Sequence, residues 1–271
     1  MCRFIAYSGP ATVMKDYLFS ASNCLVNQSK KSTMRANPLN ADGFGIGWYP
    51  EHNDETPGTF VSIEPAWSNR NLTQLANKIL TRHFFAHVRD ASVGMPVALS
   101  NCHPFQYGPY LWMHNGRLDQ FNSFRRLILN DLSDQAFDFI QGNTDSEYAF
   151  AMFLDEINFA ADVSESQLKQ AMVNTIKKIM QYRKIAGADT NAFINFAVSN
   201  GKYSIFTRFA TKSDVRPASL FYQHVNDTVI VSSEPLEHHR ENWVKVERSS
   251  LLSVSPNQIN IEDLGIPFQD C

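Results

Sequence analysis

Cys2 stands directly behind Met1, so removal of the methionine would leave one residue carrying both a thiol nucleophile and a free α-amine. The amine can then act as the base that takes the thiol proton. Unperturbed α-amines titrate at roughly 7.7–8.0 and free thiols at about 8.5, so both change charge near neutral pH. Taken alone, Cys2 reads better as a small apolar residue opening a strand, and only the motifs that follow reverse that reading.

Five other segments carry groups fit for chemistry: Asn40-Ala-Asp-Gly-Phe-Gly-Ile-Gly-Trp48, His87-Val-Arg-Asp-Ala-Ser92, Asn101-Cys-His-Pro-Phe105, His114-Asn-Gly116 and Asn143-Thr-Asp-Ser-Glu147. The glycines at 43, 45 and 47 lack the lysine and the spacing of a phosphate loop. They mark a strand that another backbone or a ligand approaches closely. His87, His103 and His114 lack the i,i+4 spacing of metal ligands and read as satisfied structural histidines. Asn115-Gly116 in isolation is a strong hairpin-turn signal. Arg89 leaves an apolar run at what should be a strand end, where a binding role competes with an ordinary surface position. Asp145 opens a helix, where the dipole stabilises an acid with no ligand present.

The elements that must position these groups follow from periodicity. Cys2 to Ser8 reads as a strand ending at Gly9-Pro10, and Gly43 to Tyr49 pairs with Thr59 to Ile63 across a polar loop. Asn71 to Leu80 has helical spacing, Phe84 to Val88 is an apolar run suited to a buried strand, and Leu111 to His114 is another strand. Thr144-Asp-Ser-Glu147 is a capping-box pattern ahead of an apolar helix, and Glu165 to Tyr182 is amphipathic. Strands resume at Ala192 to Val198 and Tyr203 to Phe209 around Asn200-Gly201, a type I′ hairpin signal. Further strands are expected at Leu220 to Val225 and Thr228 to Ser232 around Asn226-Asp227, then at Trp243 to Glu247 and Leu251 to Val254. Two helices between strand-rich halves predict an α+β layered fold. One domain spanning 1–271 is expected, with two as the alternative.

Composition excludes several classes. The net charge of −3 leaves no electrostatic footprint for nucleic acid or an anionic membrane. No apolar run approaches the roughly 20 residues of a membrane span, and no signal-peptide pattern opens the chain. Cysteines at 2, 24, 102 and 271 form no C-x-x-C pair, which argues against a disulfide framework or a zinc site. Unpaired thiols in a reducing cytoplasm are expected.

Taken together, and in this order after Cys2, the five segments resemble the class II glutamine amidotransferases of the N-terminal-nucleophile hydrolase type. The resemblance covers about the first 150 residues by motif and extends loosely to Val231-Ser-Ser-Glu-Pro235. It is nearest to small stand-alone proteins that include bacterial predicted amidotransferases and γ-glutamyl amidases of ergothioneine and glutathione metabolism. It implies a four-layer α/β/β/α sandwich, with Met1 removed and Cys2 as the nucleophile on a γ-glutamyl amide. Asn115 and Gly116 would supply the oxyanion donors. Arg89 would hold the substrate α-carboxylate and Asp145 its α-ammonium, with Ser92 and His114 in the substrate-binding set. Synthetase-linked members carry Trp and Thr where this chain has Asp90 and Ser92, a difference that touches substrate fit. Neither a cofactor nor a metal is implied.

The expected activity is hydrolysis of glutamine or a γ-glutamyl conjugate through a Cys2 thioester. The chain past residue 150 reads as completion of the fold, so a synthase or peptidase partner would be a separate protein. Three alternatives stand beside this: a cysteine amidase of the bile-acid or penicillin type, a non-catalytic γ-glutamyl-binding protein, and a structural subunit.

Overall fold

The computed structural model describes residues 2–34, 38–51, 56–91, 95–237, 241–256 and 258–269. Its first half runs β1 (Arg3–Val13), α1 (Leu25–Lys30), β2 (Phe44–Trp48), β3 (Gly58–Ser62), α2 (Arg70–Lys78) and β4 (Leu80–Val88). Next come β5 (Phe105–Tyr107), β6 (Tyr110–His114), β7 (Arg117–Leu118), α3 (Phe121–Asp131), α4 (Asp134–Phe139), α5 (Asp145–Glu156) and α6 (Glu165–Ile185). The last third is strands: β8 (Ala192–Ile194), β9 (Phe196–Ser199), β10 (Ser204–Ala210), β11 (Phe221–Val225), β12 (Thr228–Ser232), β13 (Val244–Lys245), β14 (Ser250–Ser255) and β15 (Gln258–Asp263).

These strands form two sheets. One has the order β13-β11-β12-β1-β4-β2-β3; the other runs β15-β14-β10-β9-β6-β5, with β7 and β8 attached beside β10. Period-two alternation explains how β1 serves two cores at once. Phe4 and Ala6 point into a cluster with Leu111, Met113, Phe206 and Leu252 of the facing sheet. Ile5 and Tyr7 point the other way, into a cluster with Leu25 and Val26 of α1 and Leu72 and Ala76 of α2. A third cluster joins Trp112, Phe196 and Ile205 to Phe150, Phe153, Leu168, Met172 and Ile176 of α5 and α6. Three apolar seams separate four layers, the predicted α/β/β/α sandwich.

Three local expectations need correction. β1 does not stop at Gly9-Pro10 but continues to Val13, and its register against β4 shifts between Ser8 and Thr12, where the two turn-forming residues are absorbed as an irregularity. Residues 200–203, not a two-residue type I′ turn, connect β9 to β10. The Asn200 side chain accepts the Lys202 and Tyr203 N–H groups at 3.1 and 2.9 Å and closes the wider loop. At α5 the capping box is one-sided. The Glu147 N–H reaches the Thr144 hydroxyl, but the Glu147 carboxylate turns outward to the N–H groups of Gln141 and Gly142. Helices α1, α3 and α4 and strand β15 lie where no element was anticipated. Among the described residues no helix is long and apolar enough to cross a membrane.

Candidate active site

Register alone brings the first two candidate residues together. Arg3 pairs with Val88 across β1 and β4, so one more step places Cys2 beside Arg89. Phe44 also pairs with Val88, and the Arg89 N–H donates to the Gly43 carbonyl at 2.8 Å. The Asn40–Trp48 segment therefore braces the arginine. The Asp42 carboxylate receives the Ala91 N–H at 2.8 Å, and the Arg89 guanidinium reaches the carbonyls of Asp42 and Pro96 at 3.4 and 3.3 Å. Arg89 is buried yet borders the cleft described below, so its fork is held in place before any ligand arrives.

The expectation that the glycine run marks a close approach holds at Gly45. A Cβ there would lie 2.3 Å from the His103 carbonyl oxygen, which belongs to the Asn101–Phe105 segment. Glycine at this position lets that segment press against β2.

A cavity of about 520 Å³ opens at the ends of β1, β4 and β6. Cys2, Arg89, Asp90, His114, Gly116 and Asp145 all line it. Asn115 is not among them: it is fully buried next to Gly116, and its Nδ2 donates to Ser233 Oγ at 3.1 Å. Its Oδ1 has no hydrogen-bond partner among the described residues. Ser92 and Met1 lie outside the described residues, as does Cys271.

Gly116 has a strict steric reason to be glycine. A Cβ there would fall 1.8 Å from the Phe193 carbonyl oxygen and 2.4 Å from His114 Nε2, inside the hydrogen bond that joins them. Asp145 sits at the first turn of α5 and turns toward β7, accepting the Leu118 N–H on Oδ2 at 2.6 Å. The cleft is thus lined by a carboxylate, a guanidinium, a thiol and a glycine backbone.

Burial pushes the Cys2 thiol above its ordinary pKa, and its Sγ faces the Asp90 carbonyl oxygen at 3.8 Å.

The three histidines of the motif segments are buried together. His87 Nε2 lies 3.0 Å from His103 Nδ1 and 3.2 Å from the His114 carbonyl oxygen, which ties the two sheets behind the site. Burial depresses all three, His87 to about 3. Cys24 and Cys102 are free buried thiols.

Supporting residues went unassigned from sequence. Ser233 accepts both the Phe4 N–H and the Asn115 amide, and Glu234 forms a buried ion pair with Arg3. The Ser-Ser-Glu run after an apolar strand was their visible trace, but only strand packing shows what the three residues touch.

With this geometry in hand, comparison with known proteins is decisive. The profile of the class II glutamine amidotransferases matches residues 1–262. The probable glutamine amidotransferase DUG3 of Saccharomyces cerevisiae is 33% identical over 96% of this chain and 83% of its own length. The γ-glutamyl-hercynylcysteine sulfoxide hydrolase of Mycobacterium tuberculosis is 26% identical, covering 97% of each. A class II glutamine aminotransferase domain protein from Silicibacter pomeroyi shares the fold, with a TM-score of 0.73 at 24% identity over 97% of this chain and 98% of its own. The chain belongs to the class II glutamine amidotransferase family.

Proposed function

We propose that the chain hydrolyses γ-glutamyl amides by the following route, carried by one observation: Cys2, Arg89, Gly116 and Asp145 line a single cleft. Arg89 takes the substrate α-carboxylate in a bidentate grip and Asp145 takes the α-ammonium. With Met1 removed, the Cys2 α-amine accepts the thiol proton as Sγ attacks the γ-carbonyl carbon. The developing oxyanion is met by the Gly116 N–H and the second Nδ2 proton of Asn115, whose first proton is held by Ser233. The C–N bond breaks, the amine returns the proton to the leaving nitrogen, and water then cleaves the thioester to release glutamate.

The cleft extends to Arg117, Gln120, Asn122 and Ala186, on the side where Leu118 meets Asp145. A γ-glutamyl conjugate as substrate, in preference to free glutamine, is supported by the hydrolase named among the relatives. The buried free thiols support residence in a reducing cytoplasm.

The test is a comparison of kcat/KM for glutamine, γ-glutamyl peptides and α-linked glutamyl peptides, alongside labelling by an electrophilic glutamine analogue. Labelling at Cys2 with conjugates preferred is expected. Free glutamine preferred tenfold would indicate an ammonia-supplying subunit. Turnover of α-linked peptides would contradict the Arg89–Asp145 clamp.

A further inference from the structure

Asp145 Oδ2 already accepts the Leu118 N–H at 2.6 Å, which leaves Oδ1 as the carboxylate oxygen with more acceptor capacity to spare for an incoming ammonium. The neighbouring hydroxyl of Ser146 lies 3.2 Å from Oδ1 and could fill it. What that hydroxyl does is decided by a chain of donors and acceptors running through His114.

The chain starts at the Phe193 carbonyl oxygen, which can only accept and lies 2.9 Å from His114 Nε2. The proton of a neutral imidazole must therefore sit on Nε2, leaving Nδ1 as a lone pair. Burial lowers the His114 pKa, against the pull of the nearby Asp145 charge, which keeps the ring neutral at pH 7. Ser146 Oγ lies 2.8 Å from Nδ1, closer than it lies to Asp145. A hydroxyl has one proton, and Nδ1 can receive it only from Ser146.

We infer that His114 is a positioning residue for the ammonium clamp: by holding the Ser146 proton at Nδ1, it keeps Asp145 Oδ1 free of an internal donor, so that both lone pairs of that oxygen remain for the substrate's α-ammonium. This rests on the ammonium-binding role given to Asp145 under the proposed function. It also moves His114 from direct substrate contact to action through two neighbours. Gly116 belongs to the same device, because only glycine leaves space for the His114–Phe193 hydrogen bond that sets the tautomer.

The test uses glutamine and its deamino analogue 4-carbamoylbutanoate, which keeps the amide and the carboxylate but has no ammonium. In His114→Phe, Ser146 loses Nδ1 and turns to Oδ1, so KM for glutamine should rise about tenfold, the scale of one charge-assisted hydrogen bond. KM for 4-carbamoylbutanoate should not move. Adding Ser146→Ala should bring the glutamine KM back to within about threefold of the parent, because no hydroxyl remains to compete. A double variant as impaired as His114→Phe, or equal losses on both substrates, would overturn the inference. Asp145→Asn is the control. If it discriminates between the two substrates and His114→Phe does not, the positioning role fails while the clamp stands. If Asp145→Asn does not discriminate, both fall. Long-range ¹H–¹⁵N correlation NMR on the unsubstituted protein reads the tautomer without any variant. A proton on Nε2 alone is expected, and one on Nδ1 would overturn the inference.

Discussion

Arg3 Nε lies 2.9 Å from Glu234 Oε1, and both side chains are sealed from solvent directly behind Cys2. Arg3 also donates to the Cys2 carbonyl at 2.8 Å, while Glu234 accepts from the Thr33 N–H at 3.0 Å, the Thr33 hydroxyl at 2.7 Å and the Ser32 hydroxyl. Burial alone would push the Glu234 carboxyl up. The Ser32 and Thr33 hydrogen bonds, with the Arg3 charge, outweigh it and hold the group below the usual carboxylate range. Removing one partner strands the other charge, so Glu234→Ala should cost about 3–5 kcal/mol in urea unfolding. A loss under about 1 kcal/mol would mean that water reaches the pair, as at surface ion pairs.

Activity should require the loss of Met1. Intact-mass analysis of active protein is expected to show a chain beginning at Cys2, because an acylated nitrogen cannot take the thiol proton. Full retention of Met1 in protein with high amidase activity would remove the α-amine from the mechanism.

The oxyanion and clamp roles separate kinetically. Asn115→Ala should lower kcat by ~10²–10³ with KM little changed, the usual cost of one oxyanion donor. Arg89→Lys should mainly raise KM, since the carboxylate contact is the same in ground and transition states. Were Asn115→Ala to move KM alone, its assignment as an oxyanion donor would be withdrawn.

Stability should decline on mild acidification. Burial depresses His83 to about 4 and His87 to about 3, and it lowers His103 and His114 as well. Above the unfolded histidine value of about 6.5 these groups are neutral in both states, and burial then carries no pH-dependent penalty. As pH falls from about 6.5 toward the depressed folded values, the unfolded chain gains protons that the folded chain refuses. Each unmatched proton removes about 1.4 kcal/mol per pH unit. Urea midpoints at pH 7.5, 6 and 5 should fall progressively, and a flat profile would show that the histidines protonate in place.

Much of the chemistry is legible in the residues. Cys2 at the start, the apolar run before Arg89, and the order of His114-Asn-Gly116 and Asn143–Glu147 together point to an N-terminal cysteine amidase. Alternation in β1 and the spacing in α5 and α6 are local patterns tied to burial, which is why these elements could be located. Helices α1, α3 and α4 escaped notice because they are short or mixed in character. Gln120, at the start of α3, adopts φ 60° and caps with no side-chain bond, so the usual helix-start signal is missing.

Sequence by itself determined the reacting groups, because the chemistry of a thiol, a guanidinium or a carboxylate belongs to the residue and travels with it. Tertiary structure decided which groups meet. Only the pairing of β1 with β4 sets Cys2 beside Arg89, and only the folding of Glu234 onto Arg3 braces them from behind. Strand β8 brings the Phe193 carbonyl to 2.9 Å from His114 Nε2, a contact between residues 79 positions apart. These contacts span tens to hundreds of residues along the chain, where local periodicity carries no information, and they become definite only when the strands lock in register.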